Sequence, residues 1–350
     1  MRNFVRILES VLTPRQIVTL LAVGIIVLFA GCTTSVTTPA GHVSTSPTLT
    51  KVSVALDYFP WCGQVGLWVA QEKGYFADEK LDVKLNVPSD PSTVLQTVAS
   101  GRDDFGLNYQ TNVLLARDQD IPVVSVIGIV QHPLNSIMTL KDSGITEPKH
   151  LVGKKIGWNG IPENEKFLET ILKNEGKSLD DVEMINVGFD LVPALISKKV
   201  DALIPAYWVF ESIMAENQGF PVNIMHLEQH GIPDYYEFLL VTTAEKIANN
   251  PDLVQRFVDA VKRGYEDAMK DPETAVQLMK QANPEVDLSV DVPCAKLLVP
   301  LWKADKRIFG WQEESKWTEF AQWMKDNGLL SKDFDATKSF DNQFIANTGK

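Results

Sequence analysis

Short runs of β-branched and apolar residues alternate with segments of helical periodicity over most of this chain, starting at Lys51. Residues 52–56 alternate apolar and polar side chains, which is typical of a half-buried strand, and residues 65–73 have a helical pattern. Further strands are predicted at residues 81–87, 105–108, 123–130, 137–140, 155–158, 184–187, 202–204, 223–227 and 237–242. Regular alternation of this kind predicts an α/β fold with mostly parallel sheets and helices on both faces.

Helix start and stop signals become more frequent toward the C-terminus. Asn250 and Asp271 each precede a proline, and this pairing predicts the start of a helix. Ser92 is predicted to cap a helix over residues 92–100, and Gly328 is predicted to end the last long helix. Residues spaced i, i+3, i+4 and i+7 predict that this helix has a buried face, formed by Trp317, Phe320, Ala321 and Met324.

The N-terminus has the pattern of an export signal. Residues 1–15 carry three Arg and one Glu, and an uncharged apolar run follows over residues 17–30. This run is shorter than the roughly 20 residues that a membrane-spanning helix needs. It ends in Leu28-Phe29-Ala30-Gly31-Cys32, which resembles the lipobox of bacterial lipoproteins, although Phe29 stands where that pattern prefers Leu.

The lipobox resemblance implies that residues 1–31 are removed and that Cys32 is lipidated. Residues 32–50 are rich in Ser, Thr and Pro, a composition that cannot bury a core and predicts a flexible tether. We therefore expect a globular body anchored to the cell membrane by lipid and facing the outside of the cytoplasm.

The net charge limits the possible partners, and the chain length limits the domain organisation. The chain of 350 residues has 33 basic and 45 acidic side chains, a net charge of −12, and removal of residues 1–31 would change this to −14. Phosphate binding requires clustered Lys and Arg, so we expect no nucleic-acid partner. A chain of this length exceeds what one core usually supports, which predicts two lobes or two domains.

The remaining cysteines leave two alternatives open. Cys62 and Cys294 are far apart in the sequence, and they either form a disulfide outside the cytoplasm or remain as two unpaired thiols. There is no Cys-x-x-Cys motif and there are five scattered His, so metal-ligand spacing is absent and we expect neither a metal nor a cofactor.

Several separated segments resemble one receptor family. The first is Leu56-Asp57-Tyr58-Phe59-Pro60 followed by Gly66-Leu67-Trp68-Val69-Ala70-Gln71-Glu72-Lys73-Gly74-Tyr75-Phe76. The others are residues 100–106, 131–137, 160–162, 206–208 and 231–237. In this order they resemble solute-binding proteins of ABC importers, in the branch that takes in thiamin-precursor pyrimidines. That branch also contains riboflavin-binding relatives and the pyrimidine synthases of yeast.

The resemblance implies a two-lobed periplasmic-binding-protein fold of type II with the ligand in the cleft between lobes. It implies a monomer that closes on ligand and delivers it to the permease and ATPase subunits of an ABC importer. We place the chain crossings near residues 135–140 and 236–240. Lobe one then comprises residues 51–136 and 239–350, and lobe two comprises residues 137–238.

Aromatic and polar side chains occur together at the ends of predicted strands, where open α/β sheets bind ligands. Flat rings stack on a flat ligand, and amides and carboxylates at its edge fix its orientation. The pattern therefore predicts a small planar heteroaromatic ligand. The candidate ligand-binding residues are Asp57, Tyr58, Trp61, Gln64, Asn108, Tyr109, Asn135, Trp158, Asn159, Tyr207, Trp208, Glu211 and Tyr235.

Some of these candidates have a structural alternative. Asp57 either binds ligand or caps the helix that follows it, and Trp158 lies in the core or in the cleft. Tyr207 and Trp208 point in different directions, so one of them is expected to reach the ligand. No catalytic residue is predicted.

One segment departs from the family pattern. Where the pyrimidine branch usually has Pro-Asn-x-Asn-His, this chain has Pro60-Trp61-Cys62-Gly63-Gln64. The histidine that the yeast-type synthases consume is replaced by Gln64, and their cysteine-rich iron-binding segment is missing, which argues against an enzyme. The additional indole of Trp61 favours riboflavin as the ligand, with an aminomethyl-pyrimidine second. A sensor or structural lipoprotein on the same fold is the third alternative.

Overall fold

The computed structural model describes residues 49–303 and 308–346. The predicted signal, the lipid-attachment residue Cys32 and most of the predicted tether lie outside the described residues, whereas Thr50 already belongs to the first strand. The strands are β1 (Thr50–Ala55), β2 (Leu81–Asn86), β3 (Phe105–Asn108), β4 (Val123–Val130), β5 (Asn135–Leu140), β6 (Lys155–Trp158), β7 (Glu183–Asn186), β8 (Ala202–Tyr207), β9 (Val222–His226) and β10 (Phe238–Thr243).

Helices connect these strands and form the C-terminal third. They are α1 (Val65–Glu72), α2 (Tyr75–Asp78), α3 (Val94–Ala99), α4 (Gln110–Asp118), α5 (Pro162–Asn174), α6 (Leu191–Ile196), α7 (Glu211–Asn217), α8 (Ala244–Asn249), α9 (Pro251–Lys270), α10 (Pro272–Ala282), α11 (Leu288–Trp302), α12 (Glu314–Asp326) and α13 (Gln343–Ala346). Among the described residues, no helix combines the length and the hydrophobicity needed to cross a bilayer.

The strands form two sheets with the same topology. The first has the order β2-β1-β3-β10-β4 and the second β7-β6-β8-β5-β9. In each sheet one strand, β10 in the first and β5 in the second, lies between two others and runs antiparallel to both. Four of the five strands in each sheet run in the same direction, as predicted, and the one antiparallel strand, which was not predicted, makes each sheet mixed.

Two crossover segments, residues 131–134 and residues 227–237, carry the chain between the sheets. The first lies before the predicted crossing, because residues 135–140 already form β5, and the second shares only residues 236 and 237 with the predicted crossing, because β10 begins at Phe238. Pro133 lacks a backbone donor, and the extended pairing of β5 begins two residues after it. We call the part of the molecule built on the first sheet lobe one and the part built on the second sheet lobe two.

Helix starts follow the predicted signals with one exception. Asn250 and Asp271 stand at the N-caps of α9 and α10, and the Asp271 side chain accepts a hydrogen bond from the Thr274 backbone N–H. Ser92 does not cap a helix: Asp90, two residues earlier, accepts a hydrogen bond from the Ser92 N–H at 3.0 Å. The carboxylate satisfies the first exposed donor, so the prediction for Ser92 is wrong.

Helix α12 connects the two lobes. Its predicted stripe of Trp317, Phe320, Ala321 and Met324 is buried. The Phe320 ring stacks on Tyr235 with centroids 4.5 Å apart, and the Trp323 ring lies 5.2 Å from Phe167 of α5 in lobe two. The assignment of the whole C-terminal third to lobe one therefore omits the contact of α12 with lobe two.

A disulfide joins Cys62, in the turn before α1, to Cys294 of α11, with their Cα atoms 6.1 Å apart. The alternative of two unpaired thiols is thus excluded. The bond fixes the backbone next to Trp61, which is one of the candidate site residues.

Candidate ligand-binding site

The carboxyl ends of β1 and β3 in lobe one face the carboxyl end of β8 in lobe two. Asp57 follows β1, Tyr109 follows β3, and Tyr207 ends β8. Glu237 directly precedes β10, which runs antiparallel to β3 and therefore begins at the same edge of the first sheet. This meeting point of the two sheets brings aromatic and acidic side chains together.

Asp57 is the polar centre on the side of lobe one. Its buried carboxylate accepts hydrogen bonds from Gln64 Nε2 at 2.7 Å, from the Tyr109 hydroxyl at 2.8 Å and from Trp61 Nε1 at 3.3 Å. Burial raises the pKa of the Asp57 carboxyl, and these hydrogen bonds offset part of the rise. We call Asp57 with Trp61, Gln64 and Tyr109 the Asp57 centre.

Glu237 is a second buried carboxyl group, and it is not among the residues predicted from the sequence. It accepts hydrogen bonds from the Leu134 backbone N–H at 2.8 Å and the Tyr207 hydroxyl at 2.9 Å, with longer ones from Asn135. Burial raises the pKa of the Glu237 carboxyl. The sequence feature that could have predicted this site residue is a single acidic side chain at the start of an otherwise apolar strand. We call Glu237 with Leu134, Asn135 and Tyr207 the Glu237 centre.

A tyrosine hydroxyl belongs to each centre. The Tyr109 hydroxyl donates its hydrogen to Asp57, and the Tyr207 hydroxyl donates its hydrogen to Glu237. Burial raises the pKa of both hydroxyls well above the ordinary value, and the neighbouring carboxyl groups raise it further. Both tyrosines are therefore neutral donors at physiological pH, and the hydrogen bond from Tyr207 to Glu237 joins the end of β8 in lobe two to the residue before β10 in lobe one.

The indole of Trp61 is 7% exposed and lies between the lobes. Its ring centroid is 5.6 Å from that of Phe238, 5.9 Å from that of Tyr207 and 6.1 Å from that of Phe210. Phe238 belongs to lobe one, whereas Tyr207 and Phe210 belong to lobe two. Aromatic rings from both lobes thus surround the indole next to the Asp57 carboxylate, Phe238 and Phe210 in edge-to-face contact and Tyr207 tilted against it.

Glu211 begins α7 beside this cluster and accepts a hydrogen bond from the Tyr207 backbone N–H at 2.8 Å. Burial raises the pKa of its carboxyl to about 7. Near neutral pH this group is therefore present in both its charged and its neutral form, and it can either accept a hydrogen bond from a ligand or donate one.

Two buried acceptors in this region have no hydrogen-bond partner among the described residues. They are Gln64 Oε1 and Asn135 Oδ1. Leaving a buried acceptor unsatisfied costs about 1–3 kcal/mol, so a ligand that donates to these oxygens would recover that free energy. Gln64 replaces the family histidine, and its amide nitrogen supplies the shortest bond to Asp57.

Aromatic side chains from both lobes also meet at a more exposed position. Tyr58 is 40% exposed, and its ring lies 5.0 Å from that of Phe59 and 6.1 Å from that of Phe189. Phe189 lies between β7 and α6 in lobe two. Phe189 is not among the predicted residues, because an aromatic residue outside any periodic segment gives no packing signal.

The other predicted residues have structural partners. Asn159 Oδ1 accepts hydrogen bonds from the Ile161 N–H and Asn164 at the start of α5, and Trp208 Nε1 donates to the Pro133 carbonyl. Tyr235 is buried against Phe320 and receives a hydrogen bond from Asn135.

Asn108 and Trp158 complete the set of predicted residues. Asn108 Oδ1 accepts hydrogen bonds from the Tyr109 N–H at 2.9 Å and from Asn112 at 3.0 Å. Trp158 packs against the core cluster that contains Tyr235. Of the predicted residues, therefore, Asp57, Trp61, Gln64, Tyr109, Asn135, Tyr207 and Glu211 form the polar and aromatic cluster around the two centres.

A surface pocket of about 360 Å³ lies elsewhere in lobe one, between β2 and α3. Lys84, Asn86, Thr97, Arg102 and Asp103 are among its lining residues, and none of the lining residues belongs to the Asp57 or Glu237 centre. Within the described parts of the chain, no group of three or more His, Cys, Asp or Glu side chains is arranged to hold a metal ion.

Comparison with known proteins agrees with this architecture. The chain is 30% identical over 319 residues to the formylaminopyrimidine-binding protein of Halalkalibacterium halodurans, covering 90% of this chain and 95% of that protein. It is 29% identical over 348 residues to the riboflavin-binding protein RibY of Chloroflexus aurantiacus, covering 93% and 96%.

Among solved structures, the periplasmic aliphatic sulphonate binding protein SsuA of Escherichia coli has the same fold. The TM-score is 0.64 at 14% sequence identity, over 83% of this chain and 97% of that one. The family described as NMT1/THI5 like matches residues 62–275. With that match over more than half of its length, the chain belongs to the NMT1/THI5-like family.

Proposed function

We propose that this protein is the substrate-binding component of an ABC importer and that it captures a small planar heteroaromatic molecule for a membrane permease. The Asp57 centre carries this proposal. A buried carboxylate there is held by three side-chain donors and lies next to aromatic faces from both lobes. Binding proteins for two such heterocycles are relatives over most of the chain.

The site matches the donor pattern of an aminopyrimidine. An exocyclic amine has two N–H groups, and we propose that one donates to Asp57 and the other to the unsatisfied Gln64 Oε1. A hydrogen bond to a charged group contributes about 1.5–3 kcal/mol and each aromatic stacking pair about 0.5–1.5 kcal/mol beyond burial. Together these contacts are sufficient for specific binding of a small ring.

The position of Trp61 supports a single-ring ligand before riboflavin, which reverses the order expected from the sequence. From the sequence, the additional indole is expected to favour a larger ring system. In the structure Phe238, Tyr207 and Phe210 surround this two-ring indole, and we propose that the position they form suits a ring system smaller than a three-ring flavin. We therefore propose a formylaminopyrimidine as the first ligand and riboflavin as the second.

Gln64 supports a receptor over a pyrimidine synthase. The synthase chemistry consumes a histidine at this position, whereas the Gln64 amide is buried and bound to Asp57. The receptor proposal includes no catalytic residue and no cofactor.

The Cys62–Cys294 disulfide supports a location outside the cytoplasm, because reducing conditions in the cytosol keep thiols unpaired. We propose that Cys32 carries the lipid anchor, that residues 33–49 form the tether, and that the body acts as a monomer beside its permease.

Isothermal titration of the full-length protein tests the ligand, after bound molecules are removed by reversible unfolding. We expect one formylaminopyrimidine to bind per chain with a Kd in the micromolar range or below. Riboflavin, followed by the quenching of its fluorescence, should bind more weakly than the formylaminopyrimidine. Tight riboflavin binding without pyrimidine binding would reverse our order of ligands. Binding of neither compound by folded protein would refute the proposed ligand class.

A further inference from the structure

Trp61 makes the contacts that a bound heterocycle would make. Its ring N–H donates to the Asp57 carboxylate, and its flat face lies among Phe238, Tyr207 and Phe210. The ring also lies directly over Gly63, where a Cβ atom would approach the indole to 2.4 Å. Gly63 therefore provides the space that the indole needs at this position.

We propose that Trp61 is a specificity-determining residue whose indole competes with the ligand ring for one subsite, formed by Asp57, Phe238, Tyr207 and Phe210. This inference rests on the proposed function. The ligand ring takes the position of the indole, its N–H group replaces Trp61 Nε1 on Asp57, and the indole rotates outward.

The hydrogen-bond lengths indicate which donor is exchanged. Trp61 Nε1 lies 3.3 Å from Asp57 Oδ2, whereas Gln64 and Tyr109 donate to this carboxylate at 2.7 and 2.8 Å. The longest bond is the weakest of the three, so it is the one that a ligand donor replaces with the smallest loss. Gln64 and Tyr109 keep Asp57 in position during the exchange.

The backbone around Trp61 is held while its side chain changes. Cys62, the next residue, is bonded to Cys294, and its N–H donates to the buried Asp291 carboxylate at 2.8 Å. The exchange therefore occurs by rotation of the Trp61 side chain and not by displacement of the loop. The space that it frees is that of a two-ring indole, which admits a pyrimidine and excludes a three-ring flavin.

Free indole is the probe, since it reports on the subsite whatever the natural ligand is. In the full-length protein, we expect Trp61→Ala to bind one indole per chain at least tenfold more tightly than wild type. Adding Asp57→Asn to Trp61→Ala should weaken indole binding at least fivefold, because the carboxylate acceptor is lost. Trp208→Ala is the matched control, because Trp208 donates to the Pro133 carbonyl and not to Asp57, and its indole affinity should equal that of wild type.

Folded Trp61→Ala protein that binds indole no better than wild type or the Trp208→Ala control would overturn the inference. If Trp61→Ala does not fold, the ¹⁹F resonance of Trp61 in wild-type protein labelled with 5-fluorotryptophan replaces this test, assigned with Trp61→Phe. The resonance must shift when a saturating planar ligand binds, and an unchanged resonance would overturn the inference. Indole binding by Trp61→Ala without binding of any vitamin precursor by wild type would support the subsite and refute the proposed function.

Discussion

The Asp57 centre and the Glu237 centre each contain a buried carboxyl group whose pKa is raised by burial, but their donors differ. Asp57 is held by the side chains of Trp61, Gln64 and Tyr109. Glu237 accepts from the Tyr207 and Asn135 side chains, but also from the backbone N–H groups of Leu134 and Asn135, at the end of the first crossover segment and the start of β5. We therefore propose that Asp57, whose donors are all side chains, takes part in recognition, and that Glu237, which also binds backbone N–H groups, supports the crossover.

Glu237→Ala should have the largest effect on stability. It leaves the Leu134 N–H and the Tyr207 hydroxyl buried without an acceptor, at about 1–3 kcal/mol each, so we expect the free energy of unfolding to fall by about 4 kcal/mol. Urea denaturation measures this loss, and Glu237→Gln, which keeps one acceptor oxygen, should lose less than half as much. If the alanine variant loses less than about 1 kcal/mol, Glu237 does not have the structural role that distinguishes it from Asp57.

Asp57→Asn should mainly affect binding. Loss of a charged acceptor should weaken the binding of the formylaminopyrimidine by about 2 kcal/mol, or roughly 30-fold, as measured by titration calorimetry. Because burial raises the pKa of Asp57, removal of its charge relieves desolvation, and stability should change by less than about 1 kcal/mol. Unchanged affinity together with a large loss of stability would make the two centres equivalent.

Glu211, which binds the Tyr207 backbone beside the two centres, should make the stability of the protein depend on pH. Burial raises its pKa to about 7, so between the ordinary pKa of a glutamate and pH 7 the folded protein binds more protons than the unfolded chain. This contribution to stability is therefore lost as pH rises. From pH 5 to pH 8, wild type should lose about 2 kcal/mol relative to Glu211→Gln in urea unfolding. Parallel curves for the two proteins would show that the Glu211 carboxyl has an ordinary pKa.

Replacement of Lys316 should cause a smaller loss of stability at the two crossover segments. Its ammonium group lies 2.7 Å from the Asp234 carboxylate and donates to the Gln131 carbonyl, which joins α12 to both crossover segments. Because Asp234 is partly exposed, Lys316→Met should cost only about 1 kcal/mol and leave ligand affinity within twofold of wild type.

The stability that Lys316 provides depends on pH through the Asp234 carboxyl. Burial raises the pKa of Asp234, but hydrogen bonds from His132 and Lys316 and the charge of Lys316 lower it by more, so the net pKa is below its ordinary value. The stabilisation is therefore present above the ordinary pKa of an aspartate and is lost as pH falls through the lower folded value. Wild type and Lys316→Met should converge in stability in acid, and a gap that persists there would show that the loss comes from packing.

The sequence predicted local features of the fold well, because periodicity reports the environment of each segment. Strands β3, β4 and β6 have the predicted bounds, and the stripe on α12 is buried as predicted. The antiparallel insertion of β5 and β10 was missed, because pairing direction depends on contacts between distant segments. Ser92 was misassigned because Asp90, two residues earlier, provides a competing acceptor.

The candidate site was predicted only in part, because local sequence patterns indicate where strands end but not which distant residues meet there. Asp57 and Tyr207 follow or end strands whose sequence pattern is clear, so their position at the sheet edge could be expected. Glu237 was counted as part of a strand, and its importance comes from backbone groups about 100 residues away. Likewise, the contacts of Trp61 with Tyr207 and Phe210 arise only when the two lobes meet, which no local pattern encodes.

A crystal structure of the complex with a formylaminopyrimidine would test the central claim most directly. We predict that the ring lies between the lobes, with its amine nitrogen within hydrogen-bonding distance of Asp57 and the Trp61 indole rotated away from that carboxylate. A ligand bound in the surface pocket beside Lys84 and Arg102, with the Trp61–Asp57 hydrogen bond intact, would contradict the account.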